Sequence, residues 1–445
     1  MDHFSGHRPA AKHTPDICQV YDLTISLPSA FPALGHARHN PVGPSVGSTN
    51  IDIMSARDST KEQEKGRTNM NVDKWPNHLY ALDVSRGVAA LGVVFWHWQH
   101  FAYDGTELPE NFQRNDQPLY QLLRIFYEEG GLGVQYFFIL SGFIFYWLYG
   151  NSVSNKLVSV WEFAANRFSR LYPLHFITLL AVAVLQFLYV SREGVTFVYP
   201  NYDTYHFFLN LCFASYWGFE NGWSFNGPVW SVSIEVLLYG IFFLVAYLRL
   251  GGWMVCLSVS LIAFPLSYVI LQRQFNGMAM FFLGGLVFHS AVLLSSKRKA
   301  WATPVYLIAA SSWGCVIVNY YFFDLSGRIL ELGLLGKVFL NGFPFYILFP
   351  TTALSLVLME IHGAAQLKSL SWIGDITYST YLLHFPLQLL CGLAISYGLL
   401  GKNFYLHPVS LIIFFMVLIP LSYATFVKFE RPIQKTLRAK LVPQR

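Results

Sequence analysis

The chain has 445 residues, of which 54% are hydrophobic and only 12% are charged. Soluble domains carry roughly 25% charged residues, so this composition excludes an ordinary soluble protein and indicates an integral membrane protein. The formal net charge is +5, and because no dense basic patch occurs, nucleic acid is not an expected partner.

Residues 1–75 are polar and contain no sustained apolar run. The stretch from Asp52 to Asp73 is rich in Asp, Ser, Lys and Glu, a composition typical of disordered segments. We therefore expect a disordered N-terminal tail over residues 1–75. Met54 and Met70 stand before the first apolar segment, so a later translation start is an alternative, which the mass of the intact protein would decide.

Ten segments beyond this tail are apolar over about 20 residues, the length that crosses a bilayer as a helix. They are 82–102, 131–150, 171–190, 228–248, 252–271, 277–295, 302–323, 339–361, 377–400 and 408–428. A shorter apolar stretch at 204–219 is ambiguous by length alone. The predicted fold class is an all-α polytopic membrane protein with about ten transmembrane helices and one short non-spanning or re-entrant segment.

The basic residues predict how these spans are oriented, because cytoplasmic loops are enriched in Lys and Arg. If 204–219 does not span, the basic cluster 297–299 and the basic tail 436–445 fall on the side where the first span begins. If it spans, both fall on the opposite side. We therefore expect 204–219 not to span and both termini to be cytoplasmic, with the protein in the plasma (inner) membrane.

Ionisable residues inside spans are rare and usually functional, which makes them candidate site residues. Arg86 and His97 lie in the first span, and at 100° per residue they share one helix face about 16 Å apart. This predicts Arg86 near the cytoplasmic boundary and His97 near mid-membrane. The alternatives are an arginine that anchors the helix at the interface and a histidine bonded to a neighbouring helix.

A second candidate is the pair Arg167 and Arg170, just before the third span. Residues at i and i+3 face the same way on a helix, and two guanidiniums side by side bind phosphate groups bidentately. Ordinary positive charge at the cytoplasmic surface is the alternative reading of this pair.

Glu235 lies one or two turns inside the fourth span, where we expect it near the outer face. A carboxylate there must be paired, hydrogen-bonded or protonated, and Ser231 and Ser233 lie close by. A structural partner for a membrane arginine is the alternative. His384 lies near the middle of the ninth span beside Pro386, which frees a backbone carbonyl, so structural and functional roles are equally open for it.

Five segments resemble, in order, the successive motifs of the membrane acyltransferase-3 family. They are LDVSRGVAALGVVFWHW, FFILSGFIFYWL, RFSRLYPLHF, GPVWSVSIEVLLYG and YSTYLLHFPL. The resemblance covers roughly residues 76–435 and implies that they form a membrane acyltransferase domain. It is similar to the stand-alone form of the family, without a fused hydrolase-like domain.

The resemblance also implies a reaction, namely transfer of an acyl group, expected to be acetyl, from acyl-CoA to a hydroxyl. The expected acceptor is a carbohydrate or glycoside, the expected setting is the lipid bilayer, and no metal is expected. Arg86 and His97 match the family's Arg–ten residues–His motif, and Glu235 matches its membrane glutamate. Val236 stands where the family often has a second glutamate.

These matches assign expected roles to the candidate residues. The expected catalytic residues are His97, Arg86 and Glu235, the expected donor-binding residues are Arg167 and Arg170, and the substrate-binding or structural residues are His384, Ser231 and Ser233. Two other classes of protein remain open. One is a secondary transporter or polysaccharide exporter without acyl-transfer chemistry, and the other is a non-catalytic membrane scaffold.

Overall fold

The computed structural model describes residues 75–270, 272–363 and 367–442. Within these ranges the regular structure is helical, and no strand occurs beyond two isolated β-bridges. The predicted all-α polytopic fold is therefore confirmed. The predicted tail, apart from Trp75, lies outside the described residues, as do Met54 and Met70.

The helices of the described part follow one another closely along the chain. In chain order they are α1 Tyr80–Trp96, α2 Tyr120–Glu129, α3 Gly133–Ser154, α4 Val160–Glu193, α5 Thr204–Leu211, α6 Trp230–Tyr247, α7 Trp253–Val269, α8 Arg273–Ser295, α9 Thr303–Tyr321, α10 Leu325–Leu330, α11 Leu334–Phe343, α12 Phe349–Ile361, α13 Trp372–Asp375, α14 Thr377–Ser396, α15 Pro408–Thr425 and α16 Arg431–Leu441. A 3-10 turn, His97–Ala102, extends α1, and π-helical turns join α11 to α12 and α15 to α16.

Each of the ten predicted spans coincides with a helix. Among the described residues, eight helical segments are long and apolar enough to cross a membrane. Two of the ten predicted spans correspond to shorter helices. They are α7, which is apolar but has 17 residues, and α1, which has 17 residues and carries Asp83 and Arg86. Because α1 continues into the 3-10 turn, it reaches further across the bundle than its α-helical part alone.

Hydrogen bonds show which helix ends lie together. Trp75, before α1, donates to Ser295 at the end of α8 at 3.2 Å, and Lys299 of the cluster 297–299 donates to the carbonyl of His362 at 3.0 Å. We call this side of the bundle the basic end.

The C-terminal helix lies at the same end. Arg86 of α1 donates to the carbonyl of Gly374 on α13 at 3.1 Å, and Ser379 on α14, which follows α13, donates to Glu430 directly before α16. Bonds from Trp98 to the carbonyl of Tyr405 and from Arg124 to the carbonyl of Tyr320 lie at the opposite side, the far end.

The stretch 204–219 does not cross the bundle. Its helix α5 has eight residues and is about 12 Å long. Asp203 caps it by accepting a hydrogen bond from the backbone N–H of His206 at 3.0 Å. Because this stretch does not span, the cluster 297–299 and α16 fall at the same end as the start of α1, as the charge pattern predicts.

The chain after α5 is re-entrant. The hydroxyl of Tyr381 donates to the carbonyl of Pro228 at 2.9 Å, and Tyr381 lies only one turn from the start of α14 at the basic end. Asn226 donates to the carbonyl of Leu382 at 3.0 Å at the same depth. Consequently α6 begins deep inside the bundle, well away from the far surface.

Two glycines bring α3 and α8 into close contact in the centre of the bundle. A Cβ on Gly142 would lie 1.8 Å from the carbonyl oxygen of Phe281, and a Cβ on Gly284 would lie 2.0 Å from that of Ile139. Small residues allow membrane helices to pack backbone against backbone in this way. The contact fixes α3, which carries one of the site residues described below.

Candidate active site

The polar residues begin at the basic end with Arg86. Its guanidinium donates to the carboxylate of Asp83 at 2.9 Å and to the carbonyl of Gly374 at 3.1 Å. Gly374 is required here, because a Cβ would come within 2.4 Å of Asp83. His78, outside the membrane, lies 2.5 Å from the other oxygen of Asp83, and this hydrogen bond raises the pKa of His78. Arg86 is therefore held in place by its own helix and α13.

Arg170 is exposed at the same end and has a different environment. Across the described ranges it makes no hydrogen bond or ion pair. The charges within electrostatic range of it include those of Arg86, Asp375 and Glu430. An exposed guanidinium without a protein partner is available to bind an anion bidentately.

Arg167 does not stand beside Arg170 as a second surface guanidinium, contrary to the prediction from their spacing. It is half-buried, donates to the hydroxyl of Tyr149 at 2.8 Å, and stacks over the rings of Phe145 and Tyr149, each 5.2 Å from its Cζ. The i, i+3 spacing places both on one side of α4, but the packing of α3 against that side draws only Arg167 inward. Its charge faces Glu235.

Glu235 lies among these arginines, so the prediction that it sits near the outer face is wrong. The physical reason is the re-entrant segment, which lets α6 begin inside the bundle. The hydroxyl of Ser141 on α3 donates to Glu235 at 2.7 Å, and the carboxylate is within electrostatic range of Arg86 and Arg167. We call Arg86, Arg167, Arg170 and Glu235 the charged cluster.

The two serines of this motif have separate roles. Ser233 bonds the re-entrant segment to α6, since its hydroxyl donates to the carbonyl of Phe213 at 2.7 Å and accepts from the N–H of Tyr216 at 3.0 Å. Ser231 is bonded to the hydroxyl of Tyr381 at 2.8 Å. Ser233 is therefore structural, whereas Ser231 touches the residue that leads to the histidines.

Tyr381 connects the charged cluster to the deeper histidines. Its hydroxyl is within electrostatic range of Glu235, and its ring centroid is 5.8 Å from that of His384, one turn further along α14. The polar path thus runs from the basic end through Glu235 and Tyr381 to His384.

His97 and His384 form a direct pair. His384 Nε2 lies 3.0 Å from His97 Nδ1, and the two rings are nearly parallel at 13° with centroids 5.0 Å apart. Both side chains are buried. His384 is thus the hydrogen-bond partner of His97 Nδ1, and Glu235 makes no hydrogen bond to His97 within the described ranges.

The neighbours of His384 allow the shared proton to lie on either ring. His384 Nδ1 makes no hydrogen bond in the described ranges, so the contact between His384 Nε2 and His97 Nδ1 accommodates either ring as the donor. When His97 Nδ1 is the donor, His97 Nε2 carries a lone pair, and in the part of the chain that the structure describes it makes no hydrogen bond.

Gln388 and His100 support this pair. Gln388 donates to the carbonyl of His97 at 2.9 Å and accepts from His100 Nδ1 at 2.9 Å. The ring of His100 stacks on that of His97 with centroids 4.6 Å apart. We call His97, His384, His100 and Gln388 the histidine network.

Sequence reasoning missed Ser141, Tyr381 and Gln388 as site residues. Gln388 carried a usable signal, because it is a polar residue one turn after His384 within an apolar helix. Ser141 and Tyr381 carried none, since their roles depend on which helices pack together.

The arrangement is that of a polytopic membrane protein with an intramembrane polar site: charged groups open at one end and a buried histidine pair lies beyond them. The family model of acyltransferase-3, described as an acyltransferase domain, matches residues 79–427. The chain therefore belongs to the acyltransferase-3 family and is a multi-pass membrane acyltransferase. No curated protein and no solved structure matches the chain.

Proposed function

We propose that the protein transfers an acyl group, expected to be acetyl, from acyl-CoA to a hydroxyl of a carbohydrate or glycosylated acceptor. The observation that carries this proposal is the continuity of the polar path. Arg170 is exposed at one end without a partner in the described ranges. Glu235 and Tyr381 lie within electrostatic range of each other between that end and His384. In the proposed reaction His97 Nδ1 donates to His384, so that His97 Nε2 accepts a proton.

The charged cluster is the proposed binding site for the donor. Acyl-CoA carries phosphate groups and is made in the cytoplasm, and the basic end is the cytoplasmic end if the usual charge bias holds. Arg170 contacts a phosphate in this proposal, because it is exposed and has no partner in the described ranges. Arg86 and Arg167 contribute further positive charge to the same cluster.

The histidine network is the proposed site of proton transfer. The acceptor hydroxyl gives its proton to His97 Nε2 as its oxygen bonds to the thioester carbonyl carbon. The carbon–sulfur bond then breaks, and the proton passes from His97 to the leaving sulfur, giving an ester and free CoA thiol. Histidine suits both steps because its unperturbed pKa is near 6.5.

Glu235 has a different proposed role from the one expected for an outward-facing carboxylate. It lies within electrostatic range of Arg86 and Arg167, so it partly compensates their positive charge. His384 is a positioning residue, since it is hydrogen-bonded to His97 Nδ1 and acts through that ring.

The test uses purified full-length protein in lipid nanodiscs with radiolabelled acetyl-CoA. Release of CoA thiol is measured with and without extracted surface glycans and small glycosides, whose masses are then recorded. The proposal expects CoA release that depends on the acceptor and a gain of one acyl mass in the product. Movement of a glycan across the membrane without acyl-CoA consumption would contradict it and favour the transporter alternative.

A further inference from the structure

A basic surface separate from the polar path lies on α16, the last helix of the described part. The sequence of this helix, RPIQKTLRAKL, contains four cations and no acidic residue. Arg431, Lys435 and Arg438 follow one another at intervals of four and three residues, so they share one face of the helix. We call these three residues the basic face. Lys440 lies about 180° around the helix from Arg431 and is not part of it.

The helix that carries the basic face is held at both ends. At its start, Ser379 on α14 donates to the carboxylate of Glu430. At its end, the indole of Trp161 on α4 donates to the carbonyl of Leu441 at 2.7 Å. Between these two points α16 packs against α4, and its large apolar side chains are half-buried. The basic face is therefore a fixed surface at the basic end of the bundle.

The cations of the basic face have no acidic partner. Arg431 and Lys435 are exposed, Arg438 is half-buried, and within the described ranges none of the three side chains makes a hydrogen bond or an ion pair. Like charges four residues apart on a helix repel each other and destabilise it. An anion bound between these side chains would remove the repulsion, and a guanidinium can bind a phosphate bidentately.

Exposed apolar side chains lead directly to the basic face. α15 exposes large apolar side chains along its length, and the exposed stretch ends with Tyr423 and Val427, which are 52% and 41% exposed. They precede Arg431 at the same interval of four residues, and Arg431 lies about 6 Å beyond Val427 along the helix axis. The polar headgroup layer is itself only about 5–8 Å thick on each side of a bilayer. The basic face thus begins at the depth of a lipid phosphate when the chains of that lipid contact α15.

We propose that the basic face binds the phosphate of an anionic phospholipid whose hydrocarbon chain lies along Tyr423 and Val427. A zwitterionic lipid would bring its own cation to a surface that already holds three, so an anionic lipid such as phosphatidylglycerol fits better. Anionic lipids of the cytoplasmic leaflet attract Lys and Arg residues that lie just beyond a membrane helix. The proposal does not rest on acyl transfer, because none of its residues belongs to the polar path.

Photolabelling of the full-length protein in phosphatidylcholine nanodiscs tests the proposal. The nanodiscs contain a small fraction of a probe lipid, either a phosphatidylglycerol or a phosphatidylcholine, with a diazirine in one acyl chain near the glycerol. We expect the phosphatidylglycerol probe to label peptides from 419–435 at least about fivefold more strongly, the effect of one juxtamembrane cation. Equal labelling of these peptides by the two probes would overturn the proposal.

Variants of α16 show whether the basic face causes the preference. In the triple variant Arg431→Gln/Lys435→Gln/Arg438→Gln, labelling by the phosphatidylglycerol probe should fall to the level of the phosphatidylcholine probe. Lys440→Gln is the matched control, because it removes a cation from the opposite side of the same helix, and it should keep the wild-type preference. Lys435→Gln alone should lower the preference about fivefold and serves if the triple variant fails to fold. A preference that persists in the triple and single variants would contradict the assignment.

Soluble phosphates distinguish a lipid headgroup from a free ligand. Saturating CoA or inorganic phosphate, compared with chloride at the same ionic strength, should leave labelling by the phosphatidylglycerol probe unchanged, because the lipid phosphate is held at the surface by its own hydrocarbon chains. Displacement of the probe by either compound would show that the basic face binds a soluble phosphate and would refute lipid as its occupant.

Discussion

The charged cluster and the histidine network are adjacent parts of one polar path, but they differ in how their groups are satisfied. In the cluster, Arg170 is exposed and makes no hydrogen bond or ion pair within the described ranges, and Arg86 is partly accessible. In the network the side chains are buried: His384 and Gln388 are hydrogen-bonded to His97 at 3.0 and 2.9 Å, and His100 donates to Gln388 at 2.9 Å. The charged cluster therefore has hydrogen-bond donors that are available to a ligand, whereas the side chains of the histidine network are held in place by one another.

The two regions suit different steps of the reaction. A group that must bind and release a charged molecule needs free donors and access to water, as at the basic end. A proton-transfer group needs a fixed orientation, which buried hydrogen bonds provide. Changes in the cluster should therefore affect donor binding, and changes in the network should affect turnover.

The largest effect is expected for His97→Ala. Loss of the proposed base should reduce acyl transfer by roughly 10²–10⁴-fold, the usual contribution of a general base. The measurement is acceptor-dependent CoA release by purified protein. His289→Ala is the matched control, because His289 bonds the carbonyl of Gly251 at 2.9 Å, outside the polar path. Near wild-type release by the His97 variant would rule out its role.

The next largest effect is expected for Arg170→Ala. Removing a charge-assisted phosphate contact worth about 1.5–3 kcal/mol should raise the donor KM roughly 10- to 100-fold, with a smaller change in kcat. Lys435→Ala, an exposed cation on α16 at the same end, should leave the donor KM unchanged. If both variants keep the wild-type donor KM, Arg170 is ordinary surface charge.

His384→Ala should lower kcat by about 10- to 100-fold, the loss typical when a functional histidine loses the partner on its other nitrogen. Donor KM should not change, and the pH–rate profile should shift because His97 Nδ1 loses its hydrogen-bond partner. His384→Gln, which can accept from His97 Nδ1, should recover part of the rate. A stability defect with normal kcat would show a purely structural residue.

Glu235→Gln should strengthen donor binding, whereas Arg170→Ala weakens it. The amide keeps the contact with Ser141 but removes a negative charge from among the arginines, so donor KM should fall by up to about tenfold. Steady-state kinetics at two salt concentrations measures this, since screening should reduce the difference. A raised donor KM would contradict the proposed electrostatic role.

The smallest effect is expected for Gln388→Leu. This change leaves the carbonyl of His97 and His100 Nδ1 unpaired, at a cost of about 1–3 kcal/mol for each group. We expect a lower unfolding temperature in detergent together with a moderate loss of kcat. Unchanged stability would show that water replaces the glutamine, so that the network is less rigid than its distances indicate.

Much of the fold follows from sequence patterns, because span length and charge bias depend on residues that are close together in the chain. Apolar length predicts α3, α4 and α8, and the cluster 297–299 correctly predicts that 204–219 does not span. The pair Arg86 and His97 occupies one helix, so its register is also local, although α1 turns to 3-10 geometry at His97.

The arrangement of the site depends instead on contacts between distant segments. His97 and His384 meet across 287 residues of chain, and no spacing rule predicts that pairing. The depth of Glu235 depends on Pro228 reaching Tyr381, a contact made by an irregular segment. The apolar pattern predicted the wrong depth for Glu235, because a prediction from span length assumes that each helix starts at the membrane surface.

Equilibrium binding of CoA to variants of the full-length protein tests the separation of donor binding from proton transfer most directly. Isothermal titration would compare wild type, His97→Ala and Arg170→Ala in nanodiscs. We expect wild-type affinity for His97→Ala, despite its lost turnover, and affinity weakened roughly 10- to 100-fold for Arg170→Ala. Weakened binding in His97→Ala together with wild-type binding in Arg170→Ala would contradict it.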